Sequence, residues 1–373
     1  MITIKDIAKE TGLGRSTVAS VLSGKAKQVR ISDRAIETVQ TAAKRLGYQR
    51  NEIARSIAIG KTHVIGFLLP QEMSSEHCFR TLEGVMNETA KHSYFVKIVK
   101  VDSNSTPESI AGICSGQQFD GVVCYGIMDK ACSRMTNTDF IEKLHLLLTR
   151  KNIPMTIAGG SYSINKAIHI TPNDKQGGRL AFEHLYTLGH RTFFIPFEYY
   201  NESWSNDRLS GFQEAAQDAG LSLSDKYMPK SDMIFNYTVE ELQTIFSGQK
   251  RPTAIFCLSD YTALRMLTDL SHMGFMIPED ISLVGYGNLS FTQQSKITSI
   301  EEQLVVIGEH AVEALLKEIN NSTHKSFYEE TLELFDVKLV VRGSTTTCKN
   351  NLRIKQELMI YYKLLTSGLY FFR

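Results

Sequence analysis

Residues 4–24 read IKDIAKETGLGRSTVASVLSG, and the spacing of their apolar positions decides how the chain begins. Ile4, Ile7 and Ala8 share one helical face. Thr3 is placed to cap that helix, with Asp6 in the first turn, where a carboxylate suits the helix dipole. Gly12 stands where a helix C-terminus asks for left-handed backbone. A second helix starts at Arg15. Its Val18, Val21 and Leu22 fall at i, i+3 and i+4 and face inward, while Arg15, Ser16, Ala19 and Ser20 face out. Ser32 caps a third helix, with Asp33 in its first turn and Ile36, Val39, Ala43 and Leu46 inward.

This is a helix-turn-helix pattern: small Ala8 lets the second helix approach, Gly12 makes the turn and Val18 plugs the space between. Many helical hairpins share that pattern. Charge separates them. Residues 1–61 carry 12 Lys+Arg against 5 Asp+Glu, and the remainder carries 29 against 35. A basic head on an acidic body points to a polyanion partner for the head, although a solvated basic surface has the same charge. The N-terminal end of the second helix would face base edges in a major groove. Arg15 suits guanine bidentately and suits a phosphate equally. Ser16, Thr17 and Ser20 are short enough for either contact, and Lys25, Lys27 and Arg30 in KAKQVR would lie near phosphates.

With 373 residues, 42% hydrophobic and 22% charged, the chain has the composition of a soluble protein of two or three domains. Six cysteines without a C-x-x-C pair fit reduced thiols and a cytoplasmic location. No signal peptide or membrane span is read. Beyond residue 61, HVIGFLLP, YFVKIVKV, FDGVVCYG, RTFFIPF, TAIFCLS and ISLVGYG are strand-like runs with helix-like stretches between them. That alternation predicts parallel sheets covered by helices, and its length predicts two lobes. Such sheets bind ligands beyond the carboxyl ends of their strands, and two facing lobes put the ligand in the cleft.

The head motif, followed by LGYQRNEIARSIAIGKTHVIGFLLP, resembles the start of the LacI-GalR family of bacterial repressors. The resemblance continues through NDKQGGRLAFEHLYTLGHR, DRLSGFQEAAQDAGL, RPTAIFCLSDYTAL, GFMIPEDISLVGYGN, ITSIEEQ and LVVRGST, roughly nine-tenths of the chain. It implies a three-helix DNA-binding domain over 1–49 and a hinge helix and linker over 50–61. A two-lobe periplasmic-binding-protein-like body with three crossovers follows over 62–346, and 347–373 is a tail. It implies a hinge helix capped by Asn51 and carrying Arg55, with Ile57 as the apolar wedge that unstacks a base step in the minor groove. Three positions depart from the family. Ile57 is β-branched where leucine is usual, Arg50 replaces a proline, and Gly14 replaces the N-cap serine of the second helix.

For the cleft, the resemblance implies that Arg208 holds the effector, its fork suiting adjacent hydroxyls or a carboxylate. Trp204 could stack on a ligand ring or pack within its lobe. Asn173 and Asp174 sit where the family usually has Asp-Asn, near a crossover. Asp260 follows Ser259 at a strand end, either facing the ligand or capping the next helix, and Phe256 in that strand would line the pocket. The family's pocket aspartate is replaced by Gly287, followed by Asn288. His77 and Cys78, with Phe79 next, stand where an aromatic pair is usual. His77 reads as a ligand donor or as a solvated loop histidine.

No G-x-S-x-G, H-E-x-x-H or phosphate-binding loop appears. Cys124 reads as a buried strand cysteine, and His184 and His190 make a poor metal pair. No enzyme activity, cofactor or metal is expected. The tail places Ile354, Leu358, Tyr361 and Leu365 at heptad spacing, which suits a tetramer contact or a frayed end. The sequence therefore predicts a transcriptional repressor. It binds a near-palindromic double-stranded operator as a homodimer, with a carbohydrate-like effector in the cleft. A small-molecule-binding protein with a degenerate head is the alternative.

Overall fold

The computed structural model describes residues 2–24, 26–48, 61–70, 76–126, 137–160, 167–196, 202–228, 237–247, 251–320 and 331–348. Lys25, Asn51, Arg55, Ile57, the hinge through residue 60 and the tail from residue 349 lie outside the described residues. The chain forms two compact units, Met1–Thr62 and His63–Arg373.

In the first unit α1 (Ile4–Thr11), α2 (Arg15–Leu22) and α3 (Asp33–Leu46) follow the sequence pattern. The Asp6 carboxylate accepts from the Thr3 amide at 2.8 Å and from the Thr3 hydroxyl at 2.7 Å. Gly12 is left-handed after α1, and Gly14 enters α2 from extended backbone. Ser32 Oγ accepts from the Ala35 amide and fixes the start of α3. Ile7, Val18 and Val39 are fully buried at the centre, with Val21, Ala26, Ala42 and Ala43 around them. Burying each such branched side chain contributes about 1.5–3 kcal/mol. An ion pair between Glu10 and Arg45 ties α1 to α3 at the surface.

The second unit holds two sheets. Strands β1 (Val64–Pro70), β2 (Phe95–Val101), β3 (Gly121–Tyr125), β4 (Met155–Ala158) and β5 (Ile168–Pro172) belong to the first lobe, interleaved with α4 (Glu76–Lys91), α5 (Pro107–Gly116) and α6 (Asn137–Thr149). The second lobe follows with α7 (Asp174–Thr187), β6 (Phe193–Phe194), α8 (Ser203–Asp218), α9 (Val239–Phe246), β7 (Ala254–Phe256), α10 (Asp260–His272), β8 (Ser282–Tyr286), α11 (Ser290–Gln294) and β9 (Thr298–Glu301). Helix α12 (Leu304–Asn320) and β10 (Thr331–Phe335) return to the first lobe, and β11 (Lys338–Val340) to the second. The sheet orders are β10-β5-β4-β3-β1-β2 and β11-β9-β8-β7-β6. The strands pair in parallel, as the alternating pattern requires, except that β11 runs antiparallel to β9.

The chain thus crosses between lobes after β5, after β9 and after β10. These crossovers are bonded to one another: the Asn173 amide donates to Phe335 O at 2.8 Å, and the Val337 amide to Gln176 Oε1 at 2.9 Å. Each lobe is built around one close helix pair. A Cβ on Gly308 of α12 would collide with the Thr81 carbonyl of α4, and one on Gly178 of α7 with the Arg208 carbonyl of α8. Among the described residues no helix is long and apolar enough to cross a membrane.

His184 and His190 serve the second lobe as hydrogen-bonding groups. His190, buried, bonds Thr253 Oγ1 and Ser282 Oγ at 2.9 Å, and its Nε2 lies 3.0 Å from Thr346 O. His184 bonds Thr345 Oγ1. Together they hold the segment that ends the described chain. Burial pushes the His190 imidazole down to about 4. Its contribution to stability is full above the unfolded value near 6.5 and is lost as pH falls towards 4, of order 3 kcal/mol in all. Urea unfolding between pH 7 and 4.5 should show wild type losing more stability than His190→Gln. The difference between the two chains isolates the histidine from carboxylates titrating in the same range, and equal slopes would refute the assignment.

Candidate functional site

In the head, α2 presents Arg15 and Ser16 exposed and Thr17 and Ser20 half-buried, while Val18 and Val21 lock it inward. Lys27 and Arg30 are exposed in the turn after α2, and the Thr3 hydroxyl is engaged by Asp6. The helix therefore offers its N-terminal turn, with a cation and two hydroxyls, as an outward face.

The cleft site is assembled where the carboxyl ends of β5, β7, β8 and β9 converge. Arg208 lies at its centre, buried on α8. Its Nε donates to Asp174 Oδ1 at 2.7 Å, one terminal nitrogen to Leu258 O at 2.8 Å and the other to Glu302 Oε1 at 2.5 Å. Tyr286, the last residue of β8, lies under the guanidinium, 3.6 Å from ring centroid to Cζ. Trp204, one turn earlier on α8, holds its ring 4.6 Å from the same carbon. The i, i+4 spacing makes that stacking a consequence of the helix. Both aromatic faces are cation–π partners for a desolvated guanidinium.

One guanidinium serves two buried carboxylates, and their environments separate them. Burial raises Asp174 to about 6, against the attraction of Arg208 and with repulsion from Glu302. Burial also opposes ionisation of Glu302, but Arg208 and then His77 overcome it and hold that carboxyl at about 2. His77, in the first turn of α4, places Nε2 3.1 Å from Glu302 Oε2. It is neither a solvated loop histidine nor a group aimed freely at a ligand. Gly287 explains its room: a Cβ there would collide with His77 Nε2, and φ is +121°. The histidine ring thus fills the space from which an aspartate at 287 would project.

The remaining positions divide. Asn173 caps α7, accepting from the Gln176 amide at 3.0 Å. Ser259 caps α10 in the same way. Asp260 follows that cap, fully buried, and accepts from the Leu289 amide at 2.8 Å and from Ser299 Oγ at 2.7 Å. It braces two loops instead of facing a ligand. Phe256 is fully buried and stacked on Phe212, 5.1 Å between centroids, so it is core and not a pocket wall. Asn288 is left-handed and accepts from Arg342 at 2.5 Å. Phe79 is exposed on α4. The structure brings Arg208, Asp174, Trp204 and His77, all named from the sequence, into one cluster, and adds Glu302, Tyr286 and the Leu258 carbonyl, which the sequence reading missed. Glu302 stands within the ITSIEEQ motif, but nothing local distinguishes it from Glu301. Among the described residues no group of three or more His, Cys, Asp or Glu is placed to hold a metal ion.

Arg208→Met leaves two buried carboxylates without a counter-charge, and the expected cost at pH 7.5 is about 3–5 kcal/mol. Because Asp174 is already pushed up to about 6, it takes a proton first as pH falls. The deficit relative to wild type should therefore shrink between pH 7.5 and 5.5 in urea denaturation. A deficit that grows over that range would show that the carboxylates are not the unpaired groups.

Residues 3–51 match the model of bacterial regulatory proteins, lacI family, and residues 182–345 match a periplasmic binding protein-like domain. The chain is 27% identical over 340 residues to the HTH-type transcriptional repressor PurR of Vibrio vulnificus, covering 90% of this chain and 97% of that one. The PurR of Haemophilus influenzae is 26% identical over 358 residues, 92% of this chain and 98% of that one. Among solved structures, the Lac repressor dimer bound to operator and the anti-inducer ONPF superposes with a TM-score of 0.75 at 19% identity, covering 92% and 99%. The CelR–cellobiose complex does so at 0.64 and 21% identity, covering 92% and 100%. With its helix-turn-helix head and two-lobe body, the chain belongs to the LacI-GalR family of bacterial transcriptional regulators.

Proposed function

We propose that the chain is a sequence-specific transcriptional repressor that acts in the cytoplasm. It binds a near-palindromic operator as a homodimer and responds to a small carbohydrate-like effector in the inter-lobe cleft. The observation that carries the reading is the outward N-terminal turn of α2, Arg15 and Ser16 exposed above a locked Val18 and Val21, in an N-terminal stretch, residues 1–61, with seven surplus positive charges. Arg15, Ser16, Thr17 and Ser20 read bases or hold phosphates. Thr3, Lys25, Lys27 and Arg30 steady the head on the backbone, and the hinge group Asn51, Arg55 and Ile57 enters the minor groove. The proposed division is 1–49 for the head, 50–61 for the hinge, 62–346 for the body and 347–373 for the tail.

In the body, Arg208, Asp174, Trp204, His77 and Asn173 form the effector site, with Phe79 and Asn288 at its margin and Phe256 and Asp260 behind it. A ring of carboxylates outnumbering its one arginine suits hydroxyl donors better than an anion. Related structures hold ligands of the same chemistry, cellobiose in the CelR complex and ribose in a LacI family regulator of Enterococcus faecium. A ligand controls the repressor only through different affinities for two lobe arrangements. The dimer surface is the face of α4 and the edge strand β2. There Met86 on α4 and Phe95 and Ile98 on β2 are 55%, 69% and 50% exposed, large apolar side chains open to a partner.

Selection from a random DNA pool with the full-length protein should enrich a palindrome, and Ile57→Gly should weaken it. With the enriched site, Arg15→Ala should lose about 1–3 kcal/mol of affinity and relax preference at one base pair per half-site. Lys27→Ala should weaken all sequences alike. No enrichment would refute the repressor reading, and a uniform loss for Arg15→Ala would reassign that side chain to phosphate. Phe95→Glu with Ile98→Glu should give a monomer in sedimentation velocity; a dimer that persists places the interface elsewhere.

A further inference from the structure

The first turn of α4 reaches from the first lobe onto the second at two adjacent residues. Glu76 accepts from the Ser290 amide through both carboxylate oxygens at 3.0 Å and from the Ser290 hydroxyl at 2.8 Å. Ser290 opens α11, so Glu76 supplies from the other lobe the acceptor that this helix lacks. Leu289 stands at its N-cap position, with no side-chain hydrogen bond. Arg80, one turn on, holds Glu76 in place at 2.6 Å. His77 stands beside it, over Gly287 of the second lobe and with its Nε2 3.1 Å from Glu302 Oε2 of the second crossover. Tyr261 of α10 lies next to the histidine, 6.5 Å between ring centroids, and Phe291 of α11 next to Tyr261 at 5.7 Å. Through Glu302 the chain runs His77, Glu302, Arg208, Asp174, from one lobe through two crossovers into the other.

We infer that Glu76 and His77 form a built-in latch that closes the lobes with no ligand present, the His77 ring occupying the place of an effector group against Glu302 and Gly287. The inference rests on the reading of the cleft as the effector site. Its consequence is that an effector works by competing with the latch, because the His77 ring fills the space over Gly287 and beside Glu302 that a ligand group would need. A closed body is then the resting state, and the ligand changes it by displacing the α4 turn.

The protein carries its own reporter. Trp204 is the single tryptophan, it is buried, and it stacks on Arg208 inside the closed cleft. Full-length protein with no small molecule added should therefore give blue-shifted emission and weak acrylamide quenching. Ser290→Pro removes both donors to Glu76 and keeps α11, since proline suits a first helical position. It should raise quenching and shift emission to the red, and His77→Ala should do the same independently. Far-UV circular dichroism of each variant identifies a folding failure, and the other variant then decides. In wild type, the Ser290 amide should be protected in hydrogen exchange, and Glu76→Ala should abolish that protection. Wild-type Trp204 quenched like a solvated indole, or folded latch variants quenched like wild type, would overturn the inference. The DNA selection above reports separately. An enriched palindrome with no latch signal sinks the latch alone, and a latch signal with no enriched DNA sinks the repressor reading alone.

Discussion

A guanidinium shared between two buried carboxylates, Asp174 and Glu302, is the constraint around which the body is arranged. Removing three charges from water costs several kcal/mol per ion, and attraction returns that only when the geometry is good and the remaining donors and acceptors are served. Here the geometry is imposed from several directions. Asp174 starts α7 at the first crossover, Glu302 lies in the second, and Leu258 follows β7. The contact of α7 with α8 through Gly178 sets the distance from Asp174 to Arg208. Tyr286 and Trp204 both pack against the guanidinium, and all three ions are buried. The cluster is thus both a candidate site and the rivet that joins two of the three crossovers.

The same logic explains why the helix pairs are so close. Lobes that move against each other about three short crossovers must themselves be stiff, or the movement dissipates in the packing. In the first lobe, α4 and α12 meet backbone to backbone at Gly84 and Gly308; in the second, α7 and α8 do so at Gly178 and Gly211. Helix α4 therefore carries Glu76 and His77 on a rigid support, and α8 does the same for Trp204 and Arg208. The first turn of α4 thereby bears on the second crossover at Glu302.

The head was legible almost residue by residue, because its structure is local. Caps at Thr3 and Ser32, left-handed Gly12 and the inward triplet of α2 are fixed by neighbours within a few positions. The alternating strands of the body were legible for the same reason, and the two-lobe plan followed from their number. The interior of the cleft was not. Arg208 pairs with residues 34 positions before it and 94 after it, and no periodicity links them. Phe256 and Asp260 were read as site residues because they end a strand at the correct edge of the sheet. The structure uses one as core and the other to brace loops, and only packing distinguishes a side chain that faces the cleft from one that supports it.

Gly287 shows how such a distant pairing can still leave a trace. As a lone departure from the family it reads as the loss of a carboxylate, and His77 as an unrelated loop substitution. In the folded chain the two positions share one space: a residue with a Cβ at 287 excludes the imidazole, whose Nε2 stands 3.1 Å from Glu302 Oε2. A carboxylate at 287 would have added a fourth buried negative charge beside Asp174, Asp260 and Glu302, against a single arginine. Glycine at 287 leaves that charge out and the imidazole takes up its space, so the two positions are coupled through one volume.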